Sequence, residues 1–234
     1  MSKSGAERLH GMLARNHDLA GRIDGREFPL DCFETLQQFQ RDRIARSFDD
    51  LNRQEGYRPA VEFFLSEIYG GLHFRDRDQD MGRVMPVMTR FLPDRTLMTM
   101  SEAFELQAIS LEFDMEMAEW MARWDVEVLD MATYCRVYLA VDDREGRERQ
   151  IHLIRKLGYD LDQLVRKSFV NYLVRLLRGP AHAAGFGNLQ EFLESGLNSF
   201  RALEDPEYFI ETIYVREWES MERMFEGDEN PFRL

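Results

Sequence analysis

The chain has 234 residues, 44% of them hydrophobic and 12% aromatic, enough to build and bury a real core. Its formal net charge is −13, and basic residues are interleaved with carboxylates, as in Arg75-Asp76-Arg77-Asp78. That field repels a polyanionic phosphate backbone, so nucleic acid is excluded as an expected partner.

Only Lys3, Lys156 and Lys167 are lysines; the remaining cations are arginines, which favour bidentate pairs with carboxylates between helices. Cys32 and Cys135 are too few and too isolated for a disulfide framework or a metal quartet, which fits a reducing compartment. The first residues lack the apolar run of a signal peptide, and no stretch approaches eighteen uncharged apolar residues. The expectation is a cytoplasmic protein with no membrane span.

Helix punctuation recurs along the chain. His10 and His17 lie on one face of a first helix, and Gly21 to Pro29 forms a linker. Asp31-Cys32-Phe33-Glu34 reads as a capping box opening a helix to about Gln54. Pro59 suits the first turn of a helix through Val61, Phe64, Leu65 and Ile68, stopped by Gly70-Gly71. A polar turn from His73 to Asp80 and an apolar segment at Val84 to Leu92 follow, and Asp94 is placed to cap the next helix.

That helix carries three stripes. Leu97, Ser101, Phe104, Ala108, Leu111, Met115, Ala118 and Ala122 form one, and Leu106, Phe113, Met117, Trp120 and Trp124 a second. Glu102, Glu105, Glu112, Glu116 and Glu119 form an acidic third. Two apolar stripes and one acidic stripe mark the central helix of a bundle. Asp125 is expected to cap a helix through Val128 and Val137, and a further helix is expected to end near Gly158. Asp160 to Gln163 reads as a capping box for a helix reaching Leu177; Gly179-Pro180 then breaks the chain. The last two helices run from Asn188 to about Leu203 and from Asp205-Pro206 through Phe225. With no period-two alternation and no internal repeat, the expectation is all-α: one domain over residues 1–234, a bundle of nine to ten helices around the long central one.

The run Phe63-Phe64-Leu65-Ser66-Glu67-Ile68-Tyr69-Gly70, followed by Arg75-Asp76, resembles a signature of an uncharacterised group of bacterial, cytosolic, all-helical proteins. The resemblance implies a bacterial origin and brings no activity with it.

Several constellations have residue types that could carry chemistry. Asp76, Asp78 and Asp80 have the spacing that opens a calcium loop, but Met81 stands at its glycine position and Val87 at its bidentate glutamate. Di-metal bundles need two Glu-x-x-His motifs, and Glu7–His10 is single, so the acidic stripe reads as a solvated or arginine-paired face. Asp49-Asp50 and Asp142-Asp143 lack the third aspartate of a magnesium–diphosphate motif. No cofactor is implied, although one of His10 or His17 facing a pocket could ligate haem. The small-residue stretch Ala181 to Gly187 could form one wall of a cavity opposite the turn at Tyr69 to Arg77. The candidate ligand-binding residues are therefore Tyr69, His73, Arg75, Asp76 and His182. The first expectation for function is a non-catalytic module for a protein partner or self-association. The alternative is a helical-bundle enzyme or carrier with an internal pocket for a small apolar ligand, haem or metal.

Overall fold

The computed structural model describes residues 4–68, 92–167 and 187–234. Every regular element among them is helical. They run α1 (Gly5–Ile23), α2 (Leu30–Ser47), α3 (Asp49–Asn52) and α4 (Arg58–Phe63), with α4 continuing into a π turn, Phe64–Ile68. Then follow α5 (Asp94–Arg123), α6 (Met131–Val141), α7 (Arg144–Val165), α8 (Gly187–Arg201) and α9 (Pro206–Phe225). The all-α expectation holds.

The central helix is α5, 30 residues long. Its first apolar stripe meets α1, where Leu97, Ala108, Leu111, Met115 and Ala118 are buried. Its second stripe, through Phe113 and Met117, enters the largest apolar cluster. There Tyr134, Val137 and Tyr138 of α6, Ile151 of α7 and Met221 of α9 close around it. A second large cluster gathers Phe48, Leu51 and Val61 with Val165 of α7, Phe200 of α8 and Phe209 of α9. The acidic stripe is largely paired. Lys156 holds Glu102, Arg8 and Arg149 reach Glu105, and Arg15 grips Glu112. Glu116 and Glu119 face solvent. Partial burial, together with Glu119 and Asp143 nearby, holds the Glu116 carboxyl above its ordinary range.

Helix ends differ from the sequence expectation in definite ways. Ser4 and Glu7 form an unforeseen capping box on α1, each side chain meeting the other residue's backbone N–H. The expected box at Asp31 is absent: α2 starts two residues earlier, after Pro29, without a side-chain cap, and ends at Ser47 rather than Gln54. Asp94 lies inside α5, and its Oδ1 instead accepts the Gly5 N–H at 2.7 Å, placing negative charge at the start of α1. Asp125 sits in a left-handed turn, φ 52°, and Asp130 caps α6 by accepting the Thr133 N–H at 2.8 Å. Gly158 does not end a helix; α7 runs through it and through Asp160 to Val165. The Asp205 cap at Pro206 is as expected, accepting the Tyr208 N–H at 3.0 Å.

Candidate functional site

The expected ligand-binding residues Tyr69, His73, Arg75, Asp76 and His182 all lie outside the described residues, as does the Asp76–Asp78–Asp80 spacing. His10 and His17 are described, and both are exposed on α1. The aspartate pairs serve helix ends. Asp49 bridges to Arg53 and Asp50 to Arg216, while Asp142 closes α6 and Asp143 caps α7. Both cysteines are free thiols; burial lifts the Cys135 pKa to about 11 and also raises that of Cys32. Among the described residues, no three His, Cys, Asp or Glu side chains converge in a way that could hold a metal ion.

Three other arrangements carry chemistry. The first is a ledge where α7 and α9 pack side by side, half-buried apart from the exposed His152, with Tyr214 and Trp218 resting on the main core. His152, Arg155 and Tyr159 recur at helical spacing on α7, and Glu211, Tyr214 and Trp218 do so on α9. Glu211 Oε1 accepts from Arg155 Nε at 2.7 Å and from the Tyr159 hydroxyl at 2.6 Å. These two bonds hold the Glu211 carboxyl below its usual range and push the Tyr159 phenol up. The Arg155 guanidinium lies 4.5 Å from the Tyr214 ring centroid. His152 is exposed and packs on Tyr214 and Trp218 at 5.8 and 5.2 Å between centroids. Val215, 45% exposed, stands beside them. The result is an aromatic and guanidinium surface whose rotamers are already fixed by stacking and hydrogen bonds.

The second arrangement is a polar layer inside the bundle. Arg147 of α7 is buried with its guanidinium 3.8 Å from the Phe113 ring centroid and 4.1 Å from that of Tyr138. Its Nη2 donates to Met117 Sδ at 3.3 Å, and its Nε finds no partner among the described residues. Arg43 of α2 meets Glu217 of α9 at 2.5 Å and covers Phe232. Asp114 of α5 keeps an edge to solvent, yet the surrounding protein raises its pKa to about 6 against the opposing pull of Gln40, Arg147, Gln37 and Arg43. Burial likewise pushes the phenols of Tyr134 and Tyr138 up. This layer ties five helices together with charge.

The third is a cleft of about 450 Å³ between α4, the π turn and α8, lined by Pro59, Glu62, Phe63, Ser66, Ser195, Asn198 and Ser199. Gly196 lets the helices approach here, since a Cβ at that position would stand 2.8 Å from Phe63 Cζ. Ser199 turns inward, its Oγ donating to the Ser195 carbonyl at 2.7 Å. Single π turns recur at functional sites because they re-aim side chains.

The ledge residues were individually readable as helix positions, but nothing local in the sequence says that the face of α7 meets that of α9. The buried Arg147 was hidden by its charge, which reads as surface. No curated protein and no solved structure matches the chain. A family model does match, over residues 28–231, and the chain belongs to that family, described as Domain of unknown function (DUF8198).

Proposed function

We propose that the chain is a non-catalytic helical interaction module, binding a protein partner or a second copy of itself through the α7–α9 ledge. The observation that carries this reading is the stacked set His152, Tyr214 and Trp218 with Arg155 over Tyr214, beside the exposed Val215. Tyr, Trp and Arg are the side chains that most often anchor protein interfaces. Here they are preorganised, so little rotamer entropy is lost when a partner covers them. A cytoplasmic setting in a bacterium belongs to the same reading, supported by the two free thiols and the arginine-rich, acidic composition.

Native mass spectrometry of gently purified, untagged protein tests it, comparing the wild type with a His152→Ala/Trp218→Ala variant. The expected result is a dimer or a retained protein partner that the variant loses. A wild type that stays a bare monomer overturns the reading.

The cleft at the π turn favours a second reading, an enzyme or carrier for a small ligand. Its serines, Asn198 and Glu62 would supply polar contacts, and Phe63 and Pro59 an apolar wall. The same spectra decide it: a small-molecule mass retained by the wild type and lost on Ser66→Phe supports this reading over the first.

A further inference from the structure

Helix α1 stands apart from the two large apolar clusters. Its buried side chains Leu9, Leu13, Leu19 and Ile23 belong to two smaller clusters shared with α5 and the start of α2. Neither cluster that joins α2 through α9 contains a residue of α1. The match to the family also begins at residue 28, beyond the end of α1. Removing α1 would therefore uncover one face of α5 and leave both principal cores intact.

The composition of this seam is that of a helix docked in a groove. Gly5, Leu9, Leu13, Asn16, Leu19 and Ile23 recur at spacings of three and four. Gly5 is required by close approach, since a Cβ there would stand 2.6 Å from the Asp94 carbonyl oxygen. Asn16 is fully buried mid-seam, and its Nδ2 donates to the Phe104 carbonyl across the interface at 2.9 Å. A buried amide at such a position fixes register at some loss of stability. At the rim, Arg15 donates to both Glu112 oxygens, and Arg8 lies 3.7 Å from Glu105. The groove thus presents apolar anchors flanked by Asp94, Glu105 and Glu112, and it is read by a helix with arginines on either side of a leucine seam.

We propose that this face of α5 is a binding groove for an amphipathic helix bearing arginines beside a leucine seam, with α1 as its resident, displaceable occupant. The partner is a helix of α1's chemistry: leucines at i and i+4, a small residue at the N-terminal end of the seam, and arginines placed for Glu105 and Glu112. Displacement parts the α1–α5 seam, with its Gly5–Asp94, Asn16–Phe104 and Arg15–Glu112 bonds, and opens the turn between residues 24 and 29, while α2 through α9 hold. The surface is distinct from the α7–α9 ledge, and the proposal stands without it.

The test uses the full-length chain and a fluorescent synthetic peptide of residues 4–24. Hydrogen exchange in low denaturant reads the protection of α1, and anisotropy reads the peptide. Amides of α1 are expected to open together at least tenfold faster than those of α6 and α7, with saturable 1:1 uptake of the peptide. A peptide carrying Arg8→Glu and Arg15→Glu should bind at least tenfold more weakly, and the same changes in the full chain should speed α1 opening and strengthen uptake of the unaltered peptide. Exchange of α1 only through global unfolding overturns the proposal, as does uptake indifferent to the charge reversal. A concentration-dependent dimer that the peptide cannot compete would also overturn it, in favour of association through another face.

Discussion

Gln40 on α2 donates from Nε2 to Asp114 Oδ1 on α5 at 2.9 Å, joining the two helices through a carboxyl whose pKa is about 6. Burial is the leading cause, and it outweighs the pull of Arg147 and Arg43 towards the ionised form. A carboxyl whose pKa is higher folded than unfolded holds its proton more tightly in the folded state, so stability falls as pH rises from about 4 to about 6. The penalty is absent below that window and complete above it. Asp114→Asn should therefore match the wild type near pH 4 and exceed it at pH 7 by about 3 kcal/mol. Thermal melts from pH 4 to pH 8 check this, and other carboxylates cancel in the difference between the two proteins.

The same layer predicts that Arg147 is not replaceable by lysine. Its planar guanidinium lies between the rings of Phe113 and Tyr138, at 3.8 and 4.1 Å from their centroids. An ammonium cannot stack in that way and is more strongly hydrated, so Arg147→Lys should cost about 1–3 kcal/mol. Arg147→Met fills similar volume without a buried charge and should cost less, within about 1 kcal/mol. It also removes a cation from near Asp114, so the pH dependence of the first prediction should move to higher pH. Urea unfolding at pH 6 and pH 8 measures both effects; a lysine that costs less than methionine would show that charge, not stacking, holds the residue.

Much of the architecture was readable locally. The three stripes of α5 were legible because a long helix leaves its periodicity unbroken, and the acidic one is largely paired with basic side chains; which elements cover the two apolar stripes, α1 and the main core, was not. The Asp205-Pro206 start of α9 was equally plain. Misreadings fell where one residue type serves two purposes. Gly158 has the look of a helix stop, yet it is small in order to admit Ile210. Asp31 and Asp125 have capping side chains, while α2 begins without a side-chain cap and α6 uses Asp130. The ledge depends on which faces of α7 and α9 meet, a tertiary fact that no local pattern encodes.

The Asp50–Arg216 pair predicts an asymmetry between its two partners. Arg216 donates to both Asp50 oxygens at 2.7 Å and, from Nη1, to the Ser47 carbonyl at 2.8 Å, and it covers the Phe48 ring at 5.6 Å. Asp50 is about half exposed and contributes only its side of a screened surface pair. Asp50→Ala should cost about 0.5 kcal/mol and lose that effect in high salt. Arg216→Ala also strips the last carbonyl of α2 and uncovers Phe48, so it should cost roughly 1–2 kcal/mol with little dependence on salt. Urea titrations with and without 1 M NaCl separate the two; identical salt behaviour would mean the ion pair alone accounts for Arg216.

Gly158 lies mid-helix in α7, where alanine would ordinarily be the better residue by about 0.5–1 kcal/mol. A Cβ there would stand 2.9 Å from Ile210 Cγ1 and 3.2 Å from its Cγ2, so α7 and α9 approach through this glycine. Ile210 is buried among Phe209, Val165 and Leu197 and has little room to retreat. Overpacking should exceed the propensity gain, giving a net loss of about 1 kcal/mol for Gly158→Ala and more for Gly158→Val. In an Ile210→Ala background the obstructing carbons are gone, and Gly158→Ala should become neutral or stabilising. The resulting coupling of about 1–2 kcal/mol in a double-mutant cycle would identify the contact itself as the cause. Additive effects would mean that the helices separate slightly to accept the methyl, and that the glycine sets their spacing less tightly than its neighbours imply.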